Sequence, residues 1–256
     1  MATYVLVHGG GHGGWAWQKV ARLLEADGHT VYYPSLTGCG DRAHLISADV
    51  DLNTHITDVA NLLFYEDLKD VVLVAHSYGG IVITGVADRV ADRVAKLVFV
   101  DSPRGRSNAE AFPPIVEMRK SGQVVDGVEL VVFPSEDLVA FYGVTDPEEV
   151  KWMMQRLTPH PWKSIEQKLD LRNETALDTI PRYHIVATSS VRMGAHDNLP
   201  ADERVAGRFW QIDGPHDLMV TEPQAIAGLL TEIACAPAPI QENEARRSSS
   251  RVPGRV

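Results

Sequence analysis

Thiols are nearly absent from this chain of 256 residues: Cys39 and Cys235 are its two cysteines. They are too few for a disulfide framework and are not spaced as a metal site, so a reducing compartment suits the chain better. Basic charge is also in deficit, with 24 Lys and Arg against 34 Asp and Glu and a net charge of −10. Nucleic acid and anionic membrane surfaces are therefore poor partners. No apolar run reaches the roughly 18 residues that a spanning helix needs. Met1-Ala2-Thr3-Tyr4 enters the first strand-like run without a charged leader region, so no signal peptide is expected and a cytoplasmic location is. No internal repeat is seen. The oligomeric state is not fixed by one sequence, and a monomer or homodimer is expected.

The hydrophobic content is 45%, which suits one large α/β domain with a sizeable core. Its most informative stretch is Ala75-His76-Ser77-Tyr78-Gly79, between the apolar run Val71-Val72-Leu73-Val74 and the helix-like Gly80-Ile81-Val82-Ile83. This is nearly Gly-X-Ser-X-Gly, in the order strand, sharp turn, helix, which pushes a serine hydroxyl out above the sheet edge. Ser77 is the candidate nucleophile. Ala75 replaces the first glycine and is small enough for the turn to close.

A second motif, His8-Gly9-Gly10-Gly11, follows the strand-like Tyr4-Val5-Leu6-Val7. It is similar to the glycine-rich loop that lends a backbone N–H to an oxyanion hole. Two fixed N–H donors about 3 Å from a developing oxyanion stabilise it without reorganising. The donors are assigned to Gly10 and Tyr78.

Of ten histidines, His216 in Asp213-Gly214-Pro215-His216-Asp217 follows the last strand-like run and is the candidate base. His8 and His12 sit on the glycine-rich loop as loop-shaping or substrate-facing groups, and His76 is expected to pack under the elbow. The acid is harder to place. The strand-like Tyr183-His184-Ile185-Val186-Ala187 runs into Thr188-Ser189-Ser190-Val191, with no carboxylate where one is usual. Asp101, directly after Lys96-Leu97-Val98-Phe99-Val100, is favoured over Asp197, which lies in a loop that would have to fold back.

With these residues the chain resembles the α/β-hydrolase superfamily, in the branch of plant methylesterases, hydroxynitrile lyases and bacterial esterase relatives. The resemblance covers most of residues 2 to 233. Its marks are Val7-His8-Gly9-Gly10-Gly11-His12-Gly13-Gly14-Trp15-Ala16-Trp17, His76-Ser77-Tyr78-Gly79-Gly80, Thr158-Pro159-His160-Pro161 and Gly214-Pro215-His216-Asp217-Leu218-Met219. It implies a Ser-His-Asp triad with no metal and no organic cofactor, and that Asp101 can serve as the acid. It also implies that lyases of the branch carry a threonine near the oxyanion loop and a lysine beside the histidine. This chain has Gly9 and Asp217 there, and an aspartate repels cyanide. Hydrolysis of a carboxylic ester, thioester or lactone through an acyl-enzyme on Ser77 is the expected activity, on a small-molecule substrate. A lyase or other cofactor-free reaction with His216 as base is the alternative, followed by a ligand-binding protein with a vestigial triad.

Strand-like and helix-like patterns alternate, the signature of a mostly parallel sheet with flanking helices. Strands are expected at 3–8, 30–34, 70–76, 95–101, 182–188 and 208–213, and helices near 15–27, 54–66, 79–90, 199–206 and 222–234. The α/β-hydrolase core is thus assigned to 1–103 and 181–235. Residues 104–180 break the pattern with six prolines and a helix start at Thr145-Asp146-Pro147-Glu148-Glu149. They read as a mainly helical cap, inserted after the strand that is the sixth of the family sheet. Its apolar candidates are Phe112, Met118, Phe133, Phe141, Tyr142, Trp152, Met153 and Met154. Phe133 and Trp152, with His12 and Trp15, are taken as substrate-binding, which suggests a medium-sized apolar or aromatic group. Residues 236–256, with Ala-Pro repeats and an Arg- and Ser-rich end, are expected to be a disordered tail.

Overall fold

The computed structural model describes residues 1–102, 115–197, 199–205 and 207–237, with backbone only for Ile115 and Met118. Phe112, the first part of the expected cap and tail residues 238–256 lie outside the described residues, as does the Met118 side chain.

In chain order the strands are β1 (Thr3–Val7), β2 (Thr30–Tyr32), β3 (Val71–His76), β4 (Val94–Val100), β5 (Gln123–Val125), β6 (Val128–Val131), β7 (His160–Pro161), β8 (Arg182–Ala187) and β9 (Phe209–Ile212). Six of them make a parallel sheet in the order β2-β1-β3-β4-β8-β9. All six residues of β3 are buried. A parallel strand covered on both faces has no solvent side, which is why Val71-Val72-Leu73-Val74 reads as a continuous apolar run.

The main helices are α1 (Gln18–Ala26), α2 (Leu52–Tyr65), α3 (Gly79–Arg89), α4 (Glu136–Phe141), α5 (Pro147–Met154), α6 (Trp162–Glu166), α7 (Thr188–Arg192), α8 (Leu218–Thr221) and α9 (Pro223–Cys235). Helix α1 buries Val20, Ala21 and Leu24, a stripe one turn long, and packs against α9. It is preceded by a tight turn over Gly14–Trp17, so the expected 15–27 helix is two pieces. Helix α2 starts at Leu52 rather than 54, because the Asp51 carboxylate accepts from Thr54 N while the Thr54 hydroxyl accepts from Asp51 N. At α5 the Asp146 side chain accepts from Glu148 N and Glu149 N, and Pro147 fills the first helical position.

The helix expected at 199–206 does not form over the described residues 199–205, which are turns. Pro200 disfavours a helical Leu199. The Glu203 carboxylate accepts from His184 Nε2 at 2.9 Å, and Arg204 donates to the carbonyls of Leu199 and His196. Side chains thus take up groups that a helix would bond through its backbone.

Between β4 and β8 the described residues include α4, α5 and α6 and a separate antiparallel sheet, β5-β6-β7. With the single-turn helices Ile115–Met118 and Glu174–Leu177, helix outweighs strand over the described part of the segment, and the small sheet is what the sequence did not show. The segment rests on the strand ends: Tyr142 OH donates to Gly10 O at 3.0 Å, Thr158 N donates to Gly11 O at 2.9 Å and Asp217 N donates to Tyr142 O at 3.3 Å.

Candidate active site

From β1 the chain steps outward to β2, then returns to build β3, β4, β8 and β9 on the other side. The carboxyl ends of β1 and β3 therefore leave the sheet in diverging directions and open a crevice between them, where ligands of open α/β sheets bind. Register places the exits side by side, with Val7 level with Ala75, His76 with Val100, Val100 with Ile185 and Ala187 with Ile212. The glycine-rich loop, Ser77, Asp101, Thr188 and Gly214 leave from one edge.

Ser77 has φ +49°, in the left-handed region that non-glycine residues rarely occupy. Its N–H is fixed on Val100 O at 3.2 Å and its carbonyl accepts from Ser102 Oγ at 2.6 Å. Ser77 is half-buried, directly after a fully buried strand. Tyr78 is buried, and its hydroxyl donates to His55 Nδ1 at 2.6 Å, with His55 Nε2 donating to Thr37 O. That anchor positions the Tyr78 peptide beside Ser77. Gly9 faces both elbow residues: a Cβ there would lie 2.7 Å from His76 Nδ1 and 3.1 Å from Ser77 Cβ.

The glycine-rich loop is pinned by its own histidines. His8 Nδ1 donates to Gly9 O at 2.8 Å while His8 Nε2 accepts from Leu36 N at 3.0 Å. Because C=O and N–H of a trans peptide point opposite ways, holding Gly9 O turns the Gly10 N–H to the other side. Gly11 N donates to His160 Nδ1 at 3.4 Å. The N–H groups of Gly10 and Tyr78 enter none of these bonds. Burial holds His8 and His76 neutral, with both rings pushed down to about 3.

His216 Nδ1 lies 2.5 Å from Asp101 Oδ2. Asp101 is buried at the end of β4 with φ +44°, and its carboxylate collects three more donors: Ser190 Oγ at 2.5 Å, His196 Nε2 at 2.9 Å and Ala187 N at 2.9 Å. Burial opposes its charge, but the His196 and His216 hydrogen bonds outweigh this and hold it far below the usual carboxylate range. Burial also opposes charge on His216, and there Asp101, through its hydrogen bond and its charge, then Asp217, raises the ring above its ordinary value. Asp197 is not brought to this site. It is exposed and belongs to a turn closed by Asp197 N on Gly194 O. Ser190 and His196 escaped the sequence reading because they reach Asp101 from a neighbouring element; the one available signal was the hydroxyl-rich Thr188-Ser189-Ser190 where a carboxylate was sought.

His76 is buried under the elbow, and its Nε2 donates to the His216 carbonyl at 3.1 Å. His12 is buried too, its Nδ1 2.9 Å from Gly10 O and its Nε2 2.9 Å from Asp217 Oδ2. It therefore shapes the loop from within, and its expected place facing a substrate is corrected accordingly. His76, His216 and Asp217 bring ligand-type atoms within 4.8 Å of one another.

Of the expected pocket residues, Trp15 and Trp152 pack edge to face at 5.0 Å, with Arg156 over the Trp152 ring. Trp15 also borders a groove of about 580 Å³ with Tyr33, Asp41, Arg156 and Thr158. Phe133 is half-buried and follows Val132, whose side chain sits against Gly11. Tyr142 and Met153 are buried and Phe141 is exposed.

A six-stranded parallel sheet with a serine elbow after β3 and a histidine–carboxylate pair on the same edge defines a hydrolase of α/β architecture. The family model described as "Alpha/beta hydrolase family" matches residues 4–229, and the chain belongs to that family. Its relatives include esterases. A carbendazim hydrolyzing esterase of Nocardioides sp. is 46% identical over 182 residues, covering 66% of this chain and 73% of that protein. Methylesterase 7 of Arabidopsis thaliana is 27% identical over 90% of this chain and 95% of its own length. The chain spans 63% of putative methylesterase 11 of the same plant. Among solved structures, an extracellular alpha/beta-hydrolase from a Paenibacillus species matches with a TM-score of 0.75 at 24% identity, over 92% of this chain and all of that one (100%). A methylesterase from Arabidopsis matches with a TM-score of 0.72 at 21% identity, over 90% and 98% of the two chains. Both share the fold.

Proposed function

We propose that the chain is a serine esterase that cleaves a carboxylic ester, thioester or lactone of a small to medium apolar or aromatic molecule through an acyl-enzyme on Ser77. The observation that carries this reading is the His216–Asp101 contact at 2.5 Å, on the sheet edge where the strained Ser77 elbow and the pinned Gly10 loop also emerge. Ser77 Oγ attacks the acyl carbon and its proton passes to His216 Nε2. Asp101 keeps Nδ1–H in place and stabilises the imidazolium. The oxyanion is held by the N–H groups of Gly10 and Tyr78. His216 then protonates the leaving alcohol, and water, deprotonated by the same ring, releases the acid.

Residues 104–180 are proposed to cap the site, with Phe133, Trp15 and Trp152 near its walls. The esterase relatives make carbendazim and methyl esters the first substrates to try alongside p-nitrophenyl esters. Gly9 and Asp217 favour hydrolysis over cyanohydrin cleavage.

The test is exposure of the protein and of Ser77→Ala to a fluorophosphonate, read by intact mass, beside ester turnover. One adduct and turnover that both vanish in Ser77→Ala support the reading. No adduct and unchanged turnover in folded Ser77→Ala would shift it to base catalysis by His216.

A further inference from the structure

Three buried histidines around the crevice, His8, His55 and His160, share one hydrogen-bond pattern, and His12 departs from it. His8 donates to Gly9 O and accepts from Leu36 N. His55 donates to Thr37 O and accepts from the Tyr78 hydroxyl. His160 accepts from Gly11 N and donates to Ser164 Oγ, which itself donates to Pro161 O. Each is satisfied as a neutral ring with one proton. His12 faces acceptors on both sides, Gly10 O at 2.9 Å and Asp217 Oδ2 at 2.9 Å. These two contacts take two protons, and with the Asp217 carboxyl held below its ordinary value both fall on the ring nitrogens; the other carboxylate oxygen, Oδ1, faces His76 Nε2 at 3.7 Å.

The two side chains are buried, and they join the glycine-rich loop to the residue after His216. The positive end of the pair is on the loop that carries Gly10. The negative end adjoins His216. Ester cleavage through Ser77 develops charge in the complementary sense, negative at the oxyanion and positive on the His216 ring. We propose that His12 and Asp217 are positioning residues forming a buried imidazolium–carboxylate dipole, aligned to stabilise the charge separation of the transition state and to lock Gly10 through its carbonyl. A fixed dipole in a water-poor site acts without reorganising, which is the condition under which electrostatic stabilisation is largest.

The surroundings agree. Burial opposes the charge on Asp217, but the His12, His76 and His216 rings outweigh it and hold the carboxyl below its ordinary value. The groups facing His216 are Asp101, Asp217, His76, whose ring centre is 4.5 Å away, and Tyr142 at 6.0 Å. The Tyr142 hydroxyl is held neutral by burial, then by Asp217, and gives Gly10 O its second donor. Asp101 and Asp217 are thus the two anions beside the base.

The proposal rests on the serine-esterase reading, and its test separates the two. Protein labelled with 15N-histidine is studied at the pH of maximal turnover, with His12→Gln identifying the His12 resonances. Two protonated ring nitrogens on His12, against one on His8, His55 and His160, are expected. A singly protonated His12 ring overturns the proposal. In Asp217→Asn, kcat is expected to fall at least about tenfold, less than the 10²–10³ that loss of an oxyanion donor costs, with KM nearly unchanged. The acid limb of kcat/KM should also move to lower pH, which a merely structural role would not cause. Unchanged kcat and acid limb in folded Asp217→Asn, with Ser77 still essential, overturn it. Unchanged turnover in Ser77→Ala removes the esterase reading instead. Should Asp217→Asn fail to fold, His12→Gln carries the same kinetic measurements, with unchanged kcat again overturning the proposal.

Discussion

Ser190 donates its hydroxyl to Asp101 Oδ2 at 2.5 Å across two adjacent strand ends. The serine stands just past β8, where the sequence pattern leads one to look for a carboxylate, and the carboxylate itself stands just past β4. Both positions therefore address one point in space, beside His216 Nδ1. Asp101→Asn is expected to lower kcat by about 10⁴, because the amide sets the wrong histidine tautomer, while Asp197→Asn stays near the parent. Adding Ser190→Asp to Asp101→Asn should recover part of the loss. Steady-state kinetics on the three proteins check this, and an active Asp101→Asn single variant would remove Asp101 from the proposed triad.

Activity and folding should fail at different pH. His216 is raised above its ordinary value, so the proposed base becomes protonated, and kcat/KM is expected to fall, below a midpoint higher than about 6.5. Asp101 and Asp217 are both lowered. Their contribution to stability is complete above the unfolded carboxylate value of about 3.9 and is lost as pH falls through their lower folded values. A pH profile of kcat/KM beside acid unfolding followed by circular dichroism should show an inactive, folded protein between the two transitions.

Gly9→Ala tests the contact between loop and elbow. The new Cβ would lie 2.7 Å from His76 Nδ1, and His76 in turn holds the His216 carbonyl. Either the loop or His76 must shift by several tenths of an ångström, moving the proposed oxyanion donor or the proposed base. Such misplacement is expected to cut kcat by about 10², with a smaller proportional effect on melting temperature. Parallel kinetics and thermal melts decide the matter.

Lys96 gives a control far from the chemistry. Its Nζ donates to the carbonyls of Ile233, Ala234 and Ala236 at 2.6, 2.9 and 2.6 Å, closing the C-terminal end of α9 with a cation. Lys96→Met keeps the stem and strips the donors, so a loss of about 1.5–3 kcal/mol is expected. The lysine is near the start of β4, at the opposite end of the strand from Asp101. The kcat of the remaining folded enzyme should match the parent, and urea unfolding measures the stability change.

What could be read from the sequence was what is local in it. Gly-rich loop, elbow and strand runs are contiguous, and their residues fix their own backbone. His216 followed from order along the chain. Asp101 was reached by elimination, since its partners Ser190 and His196 are 89 and 95 residues away. The His12–Asp217 pair spans 205 residues and leaves no local pattern. Strand β7 was hidden for another reason: it is His160–Pro161, and proline argues against a strand unless pairing from β6 is known. The 199–206 helix was expected where Glu203 instead bonds to His184 on β8 and the Arg204 side chain takes the nearby carbonyls of Leu199 and His196.

Ser77 and Asp101 both sit at positive φ, a backbone state that costs a non-glycine residue about 1–3 kcal/mol. Glycine at either place would relax the chain and abolish the proposed chemistry. Selection for heat resistance alone would therefore drift toward dead variants. A lineage retaining serine and aspartate at these two turns bears a standing handicap in stability, and only continued use of the site could maintain it.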